Sequence, residues 1–237
     1  MTAVTLRAAP NRSMIWVVAV LRVTNRSGNV TVTGEDRADV QVEKGGEARV
    51  ARDGSVEVKG RSGDIEVRCP TGTDVVVGTG SGDVVLRGRL GDARATTGSG
   101  EIEVENAGRV DVRTGSGSLV VGDCDGECRL HTGSGSVRVG RAGEVDVGTG
   151  SGSVEAEAIG GGKIRAGSGS VELGLSAAGE LEVRAHSGSV TITVPEGLCP
   201  ATSLKSSSGS VRCDCESGGD GEINVKTGSG SIVVEAR

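Results

Sequence analysis

Apolar and polar residues alternate along most of this chain, in short segments that recur. Val84 and Leu86, Ile102 and Val104, Leu119 and Val121, Val137 and Val139, Val154 and Ala156, Val171 and Leu173, Val190 and Ile192, Val211 and Cys213, and Ile232 and Val234 each follow a small polar turn. Val75 and Val77, Ala93 and Ala95, Val110 and Val112, Cys128 and Leu130, Val145 and Val147, Leu181 and Val183, and Ile223 and Val225 precede one. A period of two sends one side chain into a core and the next into water, so each segment predicts a half-buried strand.

The turn itself is nearly constant: TGSGSLVV from Thr114, TGSGSVRV from Thr132, TGSGSVEA from Thr149 and TGSGSIVV from Thr227. Looser copies start at Thr79, Thr97, Ala166, Ala185 and Ser206. Its serine falls at 62, 81, 99, 116, 134, 151, 168, 187, 208 and 229, a step of 17 to 21 residues. Such a step predicts a repeat with fixed strands and one variable turn. Gly admits backbone angles that a Cβ forbids, and Ser and Thr hydroxyls bond nearby backbone groups. The far turn, variously RGRLGD, ENAG, GDCDGE, GRAG and LSAAGE, reads as the loose one that absorbs the length differences.

Two strands per repeat fit either a meander of hairpins or a stack of coils. The charges favour the stack. At one fixed offset from the turn the chain reads Arg94, Asp111, Arg129, Asp146, Lys163, Glu182, alternating in sign. Equivalent residues stacked about 4.8 Å apart would each meet opposite charges, and a slip by one repeat would stack like charges. The expected fold is therefore all-β: a parallel β-helix, or β-solenoid, of about ten coils of 17–21 residues with two strands per coil. Parallel crossovers favour right-handed winding. One coil buries few and mostly small side chains, roughly 6–10 kcal/mol of gross transfer energy. Ordering its backbone costs more, so coils must stabilise one another.

The ends depart from the step. Residues 1–60 predict an N-terminal β cap and a first irregular coil, and 61–237 a continuous solenoid domain with a loop excursion at 195–208. Met14–Leu21 is the one continuous apolar run, too short to cross a bilayer, and it predicts a buried strand rather than an export signal. That implies a cytoplasmic location, with export or the cell surface as the alternative if translation starts upstream. Trp16 is expected to cover an open end of the core. The chain stops at Arg237, just after the inward Val234, which predicts an uncapped last coil open to pairing and a homo-oligomer built through it.

Composition removes several functions. The chain has 42 Gly, no Phe or Tyr, one Trp and a net charge of −6. It lacks both the basic excess of nucleic-acid binders and the aromatic platforms that stack on single strands. His131 and His186 lie beside turns with no Ser-His-Asp arrangement, and the serines read as turn formers. Glu101, Glu103 and Glu105 alternate on a solvent face and give weak grounds for a glycosidase pair. Calcium-binding repeats need an acid in every turn, and most turns here lack one, though Asp83 and Glu101 stand there. Thr191 and Thr193 form too short a threonine row for ice binding. No cofactor is implied.

Cys69, Cys124, Cys128, Cys199, Cys213 and Cys215 match no zinc spacing. They read first as small buried thiols and second as a Cys199 bridge to Cys213 or Cys215. One surface stands out. The residues just before the turns, Arg113, His131, Arg165, Arg184, Lys205 and Lys226, form a basic stripe interrupted by Gly148. Beside it Asp92, Glu127, Glu144, Glu180 and Glu222 form an acidic row. The stripe is either an ordinary solvated face or a docking surface for an acidic protein, a polysaccharide or an anionic membrane surface.

RVTNRSGNVTVTGEDRADVQVE (22–43), GSVEVKGRSGDIEVRCPTGTDVVVGTGSGDV (54–84), TVPEGLCPATSLKSSSGSVRCDCESG (193–218) and the TGSG strand repeats through SGSIVVE (229–235) resemble the bacterial DUF4097 proteins, described as adhesins with β-strand repeats. The resemblance spans about residues 20–237. It implies a surface or scaffold role. The leading reading is a non-enzymatic structural or interaction module presenting regular sheet faces. An exported adhesin that binds glycan, and a polysaccharide-active enzyme on a β-helix, are the alternatives.

Overall fold

A computed structural model describes residues 4–6, 20–216 and 218–237. Met14–Ala19, with Trp16, lie outside the described residues; Leu21, which ends that apolar run, is fully buried. The described residues form strands and turns without a helix. Stacked parallel coils make a β-solenoid of about nine turns, and the chain divides into two compact units, residues 1–115 and 116–237.

The first unit holds β1 (Val4–Leu6), β2 (Val20–Ser27), β3 (Val30–Glu35), β4 (Val40–Lys44), β5 (Glu47–Val50), β6 (Val56–Lys59), β7 (Ile65–Pro70), β8 (Asp74–Ser81), β9 (Val84–Ser99) and β10 (Ile102–Ser116). Its coils do not stack in chain order. β2 lies between β6 and β8, and β3 between β7 and β9, all four pairings parallel. The coil made first is thus clasped by the two made next. The link that hops across it, Thr71–Thr73, turns on Gly72 at φ +79°. The Thr73 hydroxyl donates to the Pro70 carbonyl at 2.7 Å. On the outer side β5 pairs antiparallel with β6, and β4 antiparallel with β7 and β1, so the end coil carries antiparallel strands along its edge.

The second unit holds β11 (Leu119–Ser134), β12 (Val137–Ser151), β13 (Val154–Ser168), β14 (Val171–Leu175), β15 (Glu180–Ser187), β16 (Val190–Val194), β17 (Ala201–Ser208), β18 (Val211–Cys213), β19 (Glu222–Ser229) and β20 (Ile232–Ala236). β11, β12 and β13 pair in parallel, turn serine over turn serine at 134, 151 and 168. β13 continues onto β14 and β15, and β14 onto β16. The order then breaks again: β19 and β20 lie between β15–β16 and β17–β18. Half of the expected excursion at 195–208 is strand, because Ala201–Ser208 is β17 and only 195–200 is loop. The chain end is likewise not the open edge. β20 is paired on both sides, whereas among the described residues β17 and β18 pair on one side only. Val211, inward by pattern, is 46% exposed there, while Val234 of the next coil is fully buried.

The core is the predicted inward row, without Val211 and Cys213 and with one addition. Leu90, Ala107, Cys124, Ala142, Ile159 and Leu175, all in the far turns, are buried too. In the second unit Cys124, Ala142, Ile159 and Leu175 stack in register. The far turn is therefore a packed corner. In β9 to β13 the strand runs through it unbroken.

The repeated TGSG has a physical reason. Its threonine points inward, and its hydroxyl donates to the turn-glycine carbonyl of the coil stacked beneath. Thr97 bonds Gly82 O at 3.2 Å, Thr114 bonds Gly100 O at 3.2 Å, Thr132 bonds Gly117 O at 3.0 Å and Thr149 bonds Gly135 O at 3.2 Å. Across the reordered ends the partner follows space and not sequence. Thr227 donates to Gly188 O, Ser206 to Gly230 O at 2.9 Å, and Asn25, standing in for threonine, donates through Nδ2 to Gly63 O at 2.9 Å. The second glycine supplies the corner: Gly135 sits at φ +147°, and a Cβ there would strike the Gly117 carbonyl.

Candidate binding surface

The residue before the turn points outward, because the threonine after it points in. Parallel register puts these residues in one column in the second unit: His131 beside Gly148, Gly148 beside Arg165, Arg165 beside Arg184, Arg184 beside Lys226, and Lys226 beside Lys205. Neighbouring rungs lie about 4.8 Å apart. Four cations therefore occupy consecutive rungs in the order 165, 184, 226, 205, and Lys205 stands on the open edge strand. Arg113 belongs to the first unit, on β10, where it meets Asp111 at 3.3 Å.

His131 is half-buried. A side chain at Gly148 would meet its ring, with Cβ 3.4 Å from Cδ2, so the histidine covers the gap that the glycine leaves. Its buried Nδ1 has no hydrogen-bond partner among the described residues.

The alternating column is in register as well: Arg129 over Asp146, Asp146 over Lys163, Lys163 over Glu182. The closest ion pairs, however, run mainly along a strand. Arg129 meets Glu127 at 2.6 Å and Arg184 meets Glu182 at 2.5 Å, while Arg165 reaches Asp146 of the neighbouring strand at 3.5 Å. Residues two apart on one strand share a face, so a long arginine reaches its own strand's carboxylate most easily. Vertical alternation keeps like charges apart, and the short pairs partly neutralise Arg165 and Arg184.

The acidic row is interrupted. Glu127 lies beside Glu144, Glu144 beside Gly161, and Glu180 beside Glu222. Glu144, Glu180, Glu182 and Glu222, with Lys163, line an open groove of about 260 Å³. Asp92 is in the first unit. Two carboxylates weighed for cation binding or hydrolysis serve the backbone instead: Asp83 Oδ1 accepts the Glu101 N–H at 2.9 Å, and Glu105 Oε2 accepts the Gly88 N–H at 2.8 Å. Among the described residues no three His, Cys, Asp or Glu side chains converge as metal ligands, and no helix is long and apolar enough to cross a membrane.

The thiols divide by burial. Cys69, Cys124 and Cys128 are in the core. Burial pushes the Cys69 thiol up to about 11, and the neighbouring Cys124 thiol together with burial pushes Cys128 up as well. Cys199 and Cys215 are half-buried and Cys213 is exposed, so the reading of all six as buried thiols holds for three. The exposed group escaped sequence reasoning because Cys213 occupies an inward position in the repeat, and its coil's place at the edge uncovers it.

The family model described as Toastrack DUF4097 matches residues 87–237. The earlier segments 22–43 and 54–84 that carry part of the resemblance lie before that span. One solved structure, of a candidate cell adhesion protein from Clostridium sporogenes, is similar over 100% of this chain and 99% of its own, at 10% identity and a TM-score of 0.26. No curated protein matches the chain.

Proposed function

The chain belongs to the Toastrack DUF4097 family, and from that premise we propose that it is a non-enzymatic structural module whose outer sheet face docks an anionic polymer along the column Arg165, Arg184, Lys226 and Lys205. The observation that carries this reading is the ladder register. It aligns four cations from strands far apart in sequence on successive rungs. A row of charges at about 4.8 Å suits a linear polyanion, which meets several cations at once, better than a single small ion. Pairing with a second chain, the other contact this fold offers, falls to β17 and β18, whose outer backbone groups carry no ladder among the described residues.

The test is chromatography of the full chain on heparin at low ionic strength. Changing Arg165, Arg184 and Lys205 to Glu should abolish retention while the circular dichroism spectrum stays that of a β protein. Reversing Arg138 and Arg141, which lie on the other strand segment of the repeat, should leave retention in place. Equal retention of the triple variant and the unaltered protein would remove the column from the account.

A further inference from the structure

Cys213 ends β18 and Cys215 follows in the bend that leads away from it. Their Sγ atoms lie 3.1 Å apart. A disulfide needs about 2.05 Å, so a small side-chain rotation closes the gap. Cys213 lies in register with the fully buried Val234, yet it is itself exposed because among the described residues no coil covers it from the other side. A thiol is thus presented to solvent at the open end of the core with a second thiol in contact with it. Cys199 sits on the loop into β17, tied by its own backbone to Asp220: its N–H donates to Asp220 Oδ2 at 3.2 Å, and its carbonyl accepts the Asp220 N–H at 3.1 Å.

We propose that Cys213 and Cys215 form a thiol–disulfide exchange site that takes low-molecular-weight disulfides and closes to a bond between these two residues. The Cys213 thiolate attacks one sulfur of the small disulfide and expels a small thiolate, leaving a mixed disulfide on Cys213. The Cys215 thiolate then attacks the Cys213 sulfur and expels the second small thiolate. The two protein thiols lose two electrons and two protons, and the small disulfide becomes two thiols. The bond ties the last residue of the one-sided strand to the start of the return link, which fixes the end coil. Burial and the neighbouring Cys213 raise the Cys215 thiol to about 11. Its thiolate is scarce at neutral pH, so the second step should quicken about tenfold per pH unit between pH 7 and 9.

The site goes beyond the anionic docking column and is tested apart from it. The reduced full chain is treated with oxidised glutathione, quenched in acid and digested with trypsin. Cleavage after Arg184, Lys205, Arg212 and Lys226 leaves Cys199 in one peptide and Cys213 with Cys215 in another. The expected product is peptide 213–226 lighter by about two daltons, the two hydrogens lost. Cys215→Ser should stall as a glutathione adduct on Cys213, and Cys199→Ser should change nothing. A cross-link between peptides 185–205 and 213–226 would assign the bridge to Cys199 and overturn the proposal. So would an adduct that persists on Cys213 in the unaltered chain. Corrected for the Cys215 thiolate fraction in each state, closure in the folded chain should outpace closure in urea about tenfold or more; equal corrected rates would mean that the fold does not position the pair.

Discussion

Five turn threonines, Thr97, Thr114, Thr132, Thr149 and Thr227, spend their hydroxyls on a carbonyl one coil away, and two positions in the same column carry no hydroxyl. Ala166 is in register with Thr149, and Ala185 with Thr227. Replacing Thr132 by Val keeps the shape and removes the bond to Gly117 O, at a cost of about 1 kcal/mol in urea unfolding. Replacing Ala166 by Thr should add the missing bond to Gly152 O and stabilise by a similar or smaller amount. Unchanged midpoints in both variants would show that the hydroxyls do not stitch the coils. This much was legible in advance, since the repeated TGSG signalled a shared role for the hydroxyl. The acceptor was not, because the bond joins residues up to 39 apart whose proximity only the stacking creates.

Strands β4 and β5 guard the edge of β6 and β7, and their ties are partly ionic. Lys44 Nζ lies 2.9 Å from Asp64 Oδ2, and Asp64 Oδ1 accepts the Asn29 N–H at 3.2 Å. The lysine ammonium, then that N–H, hold the Asp64 carboxyl below the ordinary carboxylate range. A depressed carboxyl stabilises the fold above its unfolded pKa, near 4, and loses that contribution as pH falls through the lower folded value. Acidification from pH 5 to 3 should therefore lower the amide protection factors in Val40–Lys44, each taken against the intrinsic exchange rate at that pH. Asp64→Asn should flatten that response, and an unchanged response in the variant would place the acid sensitivity elsewhere. Strand pattern and turn were readable in the elements, because a period of two with one side apolar has few other uses. The far corners were misread as loose: GRAG and ENAG show little but polar and small residues, and Ala142 and Ala107 give a weak apolar signal. The column of cations was readable because it keeps one offset from the turn.

For the molecule, what the sequence concealed is the order of the coils. Every coil carries the same turn and the same two alternating strands, so any coil is an acceptable neighbour for any other, and nothing local distinguishes the coil next in sequence from the coil next in space. The reordering predicts an exchange pattern that chain order would not give. Amides in 201–213, paired on one side, should exchange well ahead of those in 222–236, which are nearer the C-terminus but flanked on both sides. Protection that simply declined toward Arg237 would contradict the stacking. The interleaving also sets a timetable for assembly. β2 and β3 leave the ribosome before the strands that flank them, and those later segments can settle on either side as they appear. At the other end β17 and β18 are synthesised before the coil they rest on exists. They must wait without a ladder until residues 222–236 slide into the slot, so a stretch made later locks its predecessor in place.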